Sequence, residues 1–96
     1  MAEQIFQWDW KKSEANRKKH GIDFEEARDA FFDPLKYVDI EGHEHGEIRW
    51  RTIGEITGTL YVVSHTLEDE GETEIVRIIS ARKATRRERR AYEREA

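Results

Sequence analysis

Apolar positions in this chain come in short runs, and their spacing changes from helical to alternating near Pro34. Ile5-Phe6-Gln7-Trp8 is apolar and aromatic and predicts a first strand. Asp9 then has the character of an N-cap, because its carboxylate can take the backbone amides left free in a first helical turn. A helix is expected from residue 10 to about residue 20, closed by Gly21 as a left-handed stop. Its apolar stripe is sparse, so it must lean on the rest of the domain. Asp23, with Glu26 three residues on, predicts a capping box and a second helix with Phe24, Ala27 and Phe31 on one side. Asp33-Pro34 ends that helix, since proline disfavours helical geometry in the residue before it.

After Pro34 the period is that of strands. Residues 35–40 predict one strand, residues 41–46 a polar loop, and residues 48–56 and 59–66 a hairpin turning at Thr57-Gly58. A second acidic loop at 67–72 leads to residues 74–80, apolar on both faces and therefore expected as a central strand. Thr85 and Glu88 form a second capping box, opening a helix from Arg86 to about Arg94. The order β-α-α-β-β-β-β-α predicts one α+β domain over residues 1–96. It has a mostly antiparallel sheet, two N-terminal helices and one C-terminal helix, all packed on one face.

Composition narrows this picture. At 96 residues there is room for one small core. With 40% charged residues against 36% hydrophobic, the balance leans toward disorder; ten aromatics, three of them Trp, pull it back toward a folded domain with a thin core. The net charge of −4 is unevenly spread. Residues 77–96 hold eight basic and three acidic side chains, a balance of +5, which leaves nine basic and eighteen acidic groups, −9, in residues 1–76. An acidic total therefore does not exclude a polyanion partner. The absence of cysteine excludes disulfides, a thiolate nucleophile and a cysteine zinc site. No run approaches the roughly 20 apolar residues of a membrane span, and the N-terminus lacks the pattern of a signal peptide, so a cytoplasmic location is expected.

Candidate chemistry concentrates near the C-terminus. Arg82 and Lys83 stand between an apolar strand and a capped helix start, where cations, backbone amides and the helix dipole together suit phosphate; solvated turn residues are the plainer reading. Arg77 interrupts an apolar strand, so it needs a carboxylate (Glu47 or Glu74) or an opening to a groove. Arg49 and Arg51 share a strand face with Glu47 and suggest a basic floor. His65 closes a strand at the expected sheet rim, as a proton carrier or a hydrogen-bonded structural residue. His20 has the plain role of a cation at a helix C-terminus. His43-Glu44-His45 lies between two glycines and predicts a loop rather than a metal site, and no Gly-rich phosphate loop is present, so no cofactor is expected.

Several segments together resemble the BrnT toxin family. They are Phe6-Gln7-Trp8-Asp9, Asn16 with Lys19-His20-Gly21-Ile22, Phe24-Glu25-Glu26-Ala27, and Phe32-Asp33-Pro34. The pattern continues with Glu47-Ile48-Arg49 ahead of Ile53-Gly54, Tyr61-Val62-Val63, and Arg77-Ile78-Ile79-Ser80-Ala81-Arg82-Lys83-Ala84 followed by Glu88 and Tyr92. The resemblance implies a RelE-like fold and a metal-independent ribonuclease toxin that arrests translation. It also implies silencing by a BrnA-type ribbon-helix-helix antitoxin, through which the complex reaches operator DNA. For such a reaction the expected catalytic set is Arg49 and Arg77 as phosphate clamps with His65 as acid or base. Lys19, His20, Arg51, Arg82, Lys83 and Arg86 are the expected RNA contacts, with Lys19 and His20 as alternative proton carriers. A non-catalytic nucleic-acid-binding or partner-interaction module using the basic C-terminal helix is the competing expectation.

Overall fold

The computed structural model describes residues 3–95. Strand β1 spans Glu3–Gln7 and helix α1 spans Trp10–His20. The Asp9 carboxylate accepts from the Lys11 and Lys12 amides, and Gly21, at φ 78°, returns its N–H to the Arg17 carbonyl. Four basic residues in the last turn complement the helix dipole. The sparse apolar stripe of α1 is replaced by polar fasteners. Asn16 Nδ2 donates to the Ile22 and Ala81 carbonyls at 2.8 and 2.9 Å, while its Oδ1 accepts from the Ala81 amide at 3.1 Å. Ser13 Oγ accepts from the Phe24 amide, so α1 is stitched both to the next helix and to the sheet.

The second helix is shorter than its pattern predicts. Helix α2 covers Phe24–Ala27 behind the expected Asp23–Glu26 capping box, and the chain then tightens into a 3-10 helix at Arg28–Phe32. Asp33 stops it and binds outward, its carboxylate accepting from the Leu35 and Glu55 amides and the Tyr92 hydroxyl. Strands β2 (Tyr37–Glu44), β3 (Glu47–Ile56), β4 (Thr59–Glu70) and β5 (Thr73–Lys83) follow, then helix α3 at Arg86–Glu95. Two of the expected loops are therefore mostly strand. Residues 41–44 and 67–70 continue the ladders, largely as exposed polar ribbon although Leu67 packs on the core, and the turns shrink to His45-Gly46 and Gly71-Glu72. His45-Gly46 and Thr57-Gly58 both take positive φ, as tight two-residue hairpins require.

One five-stranded sheet runs in the order β1-β5-β4-β3-β2, with β1 parallel to β5 and every other pair antiparallel. The central place belongs to β4, and β5 lies between β1 and β4. The expected packing of all helices on one face is corrected by two consecutive residues. Val63 packs with Phe24, Ala27 and Phe31, whereas Val62 packs with Ile53, Leu60 and Tyr92 of α3. Neighbours along a strand point to opposite faces. Hence α1, α2 and the 3-10 helix cover the back of the sheet, and α3 covers one end of the front. No helix among the described residues is long and apolar enough to cross a membrane.

Candidate active site

The part of the front face that α3 leaves open is floored by arginines, two placed by alternation along β3 and two brought together by a β-bulge in β5. Arg49, Arg51 and Ile53 alternate on the front of β3. Register then places Arg51 opposite Ser64, and Ser64 opposite Ser80, in one row across three strands. Val62 is opposite Arg82, and Thr66 is opposite Arg77. Strict alternation would send Arg77 and Arg82 to opposite faces. Between Ser64 and His65 the register with β5 slips by one residue, so Ile79 has no partner and Arg77, Ser80 and Arg82 share the front. A second slip, between Ile40 and Gly42, leaves Glu41 without a partner on β3, and its side chain, on the face of Asp39, reaches Ser64 across the same floor.

Three of the four arginines are balanced from within. Arg51 holds Asp39 through two 2.9 Å hydrogen bonds and reaches Glu88 at 3.5 Å. Arg82 grips Glu88 bidentately at 2.7 and 2.9 Å. Arg49 pairs with Glu44 at 2.8 Å. Their partners hold Arg51 and Arg82 above the usual guanidinium range, Arg51 through Asp39 and Arg82 through Glu88. The Arg82 hydrogen bonds likewise hold the Glu88 carboxyl down at about 2. Arg77 is exposed and forms no ion pair among the described residues. Glu74 points to the back face and binds Gln4 instead.

The other expected site residues are dispersed. His65 lies in the interior rather than at a rim, 1% exposed, edge-on to Phe31 and with Nε2 2.7 Å from Thr52 Oγ1. Burial pushes its imidazole down to about 4, so it is neutral at physiological pH. Lys19 and His20 end α1, in the back layer. The helix start expected to meet phosphate at Arg82 and Lys83 is closed by its own side chain: Glu88 accepts from the Thr85 amide as well as from Arg82. Lys83 and Arg86 are exposed at the junction of β5 and α3. Among the described residues no group of three or more His, Asp or Glu side chains is arranged to hold a metal ion.

Sequence reasoning missed Glu41 and Ser64. Ser64 is buried and donates to Glu41 Oε1 at 2.9 Å. Glu41, Gly42, His43, Glu44 and Arg49 line a hollow of about 210 Å³ at this side of the floor. Glu41 opens a polar run expected as a loop and Ser64 ends an apolar strand, so neither position carried a sign of the pair.

The arrangement offers fixed positive charge, hydroxyls and a carboxylate held by a hydroxyl rather than by arginine on an open sheet face. Such a surface suits a polyanion whose reacting phosphate must be held and neutralised. Residues 8–88 match the family model described as ribonuclease toxin, BrnT, of type II toxin-antitoxin systems, and the chain belongs to that family. No curated protein matches it.

Proposed function

From membership in a family of ribonuclease toxins, we propose that this chain cleaves RNA on the front face of its sheet, around Arg49 and Arg77. The observation that supports this reading is the bulge in β5, which brings Arg77 onto the same open face as Arg82 and the arginines of β3. Cleavage by the neighbouring 2′-hydroxyl needs charge stabilisation on the phosphate as it becomes pentacoordinate. Arg77, free of an internal partner, clamps that phosphate directly, and Arg49 exchanges its exposed Glu44 for it. Arg51 and Arg82, held by Asp39 and Glu88, fix the floor around them. The charge such a reaction needs is already carried by guanidinium groups, so the reaction is proposed to proceed without a metal. His65 serves the scaffold instead, because a buried neutral ring with its Nε2 engaged cannot reach substrate.

In the cell, this activity arrests translation and is silenced by a BrnA-type ribbon-helix-helix antitoxin, whose complex with the toxin represses their operon. The direct test uses purified protein and a labelled RNA, with and without EDTA. Cleavage should persist in EDTA. Arg77→Ala should lower it by about 10²-fold with the fold intact, the scale seen when one transition-state donor is removed. Full activity in that variant would remove Arg77 from the mechanism. Binding without cleavage by the native protein would favour a nucleic-acid-binding module built on the exposed arginines of α3.

A further inference from the structure

Arginines stabilise charge but do not accept protons, so a ribonuclease on this face needs a base. Four carboxylates bond to side chains of the floor, and three of them are taken by its arginines. Asp39 is held bidentately by Arg51, Glu88 bidentately by Arg82 and by the Thr85 amide, and Glu44 by Arg49. Glu41 differs from all of them. It is exposed, is left by the bulge in β2 without a partner on β3, and its one hydrogen bond among the described residues is from Ser64 to Oε1. Its charge helps keep both Arg51 and Arg82 ionised, which places it within electrostatic reach of β3 and β5 together. It also lines the hollow that Arg49 shares.

We propose that the Glu41 carboxylate is the base that takes the 2′-hydroxyl proton of RNA on this face, with Ser64 as the residue that orients it. The proposal rests on the ribonuclease reading of the preceding subsection. Glu41 Oε2 removes the proton, and the freed electron pair of the 2′-oxygen forms its bond to phosphorus. The bond from phosphorus to the 5′-oxygen breaks, and the leaving oxygen takes a proton from water while Glu41 returns its own to solvent. The products are a 2′,3′-cyclic phosphate and a 5′-hydroxyl. A bulge suits this role, since it aims one side chain without disturbing the ladder on either side.

The test compares native protein, Glu41→Gln, Glu41→Asp and Arg77→Ala in single-turnover cleavage of RNA across a range of pH. Affinity is read separately on 2′-O-methyl RNA, which cannot be cleaved. Glu41→Gln keeps an oxygen for Ser64 but loses the basic site. Its cleavage should fall by about 10²- to 10³-fold, within the usual range for general-base removal, with affinity unchanged. The loss of rate on acidification seen in native protein should vanish with it. Glu41→Asp, a methylene shorter, should keep that acid limb at reduced rate. Native-like cleavage by Glu41→Gln beside an impaired Arg77→Ala would overturn the role of Glu41 and leave the ribonuclease reading standing. Parallel loss of affinity and cleavage in Glu41→Gln would also overturn it, marking Glu41 as a binding group. No cleavage by the native protein would overturn both.

Discussion

His65 and Glu88 are both buried and ionisable, and acid reaches them in different windows. In the unfolded chain the His65 imidazole has its ordinary value of 6.5, while burial in the fold depresses it to about 4. Between those values the unfolded chain binds a proton that the folded one refuses, so stability falls as pH falls, by roughly 3 kcal/mol across the window. Glu88 is depressed from 4.5 to about 2 by Arg82 and the Thr85 amide. Its contribution is complete above 4.5 and is lost only below it. The native protein should therefore lose stability in two successive stages on acidification. His65→Gln, which can keep a hydrogen bond to Thr52, should flatten the first stage and leave the second. Urea midpoints measured from pH 7 to pH 3 decide this; an unchanged slope above pH 5 would mean that His65 is not the group responsible.

The helical elements were legible wherever a single local contact decides them. Asp9, Asp23 and the Thr85–Glu88 box cap as their spacing predicts, and Gly21 closes α1 where expected. The elements that were not legible depend on a partner strand or a neighbouring layer. Neither bulge is written in β2 or β5 alone, because a slip exists only relative to the strand beside it. Arg49, Arg51 and Arg77 could thus be recognised as cations within strands and Arg82 as one just beyond a strand, but not all four as members of one face. Glu41 was hidden because its polar run reads as a loop, whereas pairing with β3 continues β2 through Glu44. The shortening of the second helix has a steric origin. Its 3-10 continuation lies directly on β3, where a Cβ at Gly54 would come within 2.3 Å of the Ala30 carbonyl oxygen. Backbone cannot yield as a flexible side chain would, so Gly54→Ala should destabilise by about 3 kcal/mol, the upper end for overpacking. Gly42→Ala, where nothing lies within 4 Å, should stay within about 0.5 kcal/mol. Thermal or urea unfolding of the two variants checks the contrast, and equal effects would show that the 3-10 helix can shift off the sheet.

At the scale of the molecule, the ion pairs of the described residues form within the −9 body or within the +5 tail, and Arg51–Glu88 alone crosses between them. Arg82, from the tail, and Arg51, from the body, converge on Glu88, while Asp39 balances Arg51 from the other side. Charge spent inside the fold is poorly available for RNA. Among the described residues, Arg77 on the floor and the exposed arginines of α3 form no ion pair, and Arg86, Arg87, Arg90 and Arg94 line an open hollow of about 770 Å³ with Glu93. Binding of single-stranded RNA releases counterions in proportion to the phosphates neutralised, with a slope of about −0.7 per contact in log affinity against log salt. Arg86→Gln with Arg90→Gln should therefore make the slope shallower by about 1.4 and leave the unfolding midpoint almost unmoved. Arg51→Gln should do the reverse, barely altering the slope but destabilising the fold by leaving Asp39 and part of Glu88 unpaired. Anisotropy titrations of 2′-O-methyl RNA between about 50 and 200 mM salt give the slopes. If the α3 variant kept the native slope, RNA binding would belong to the sheet floor alone, and the helix arginines would be left for a protein partner.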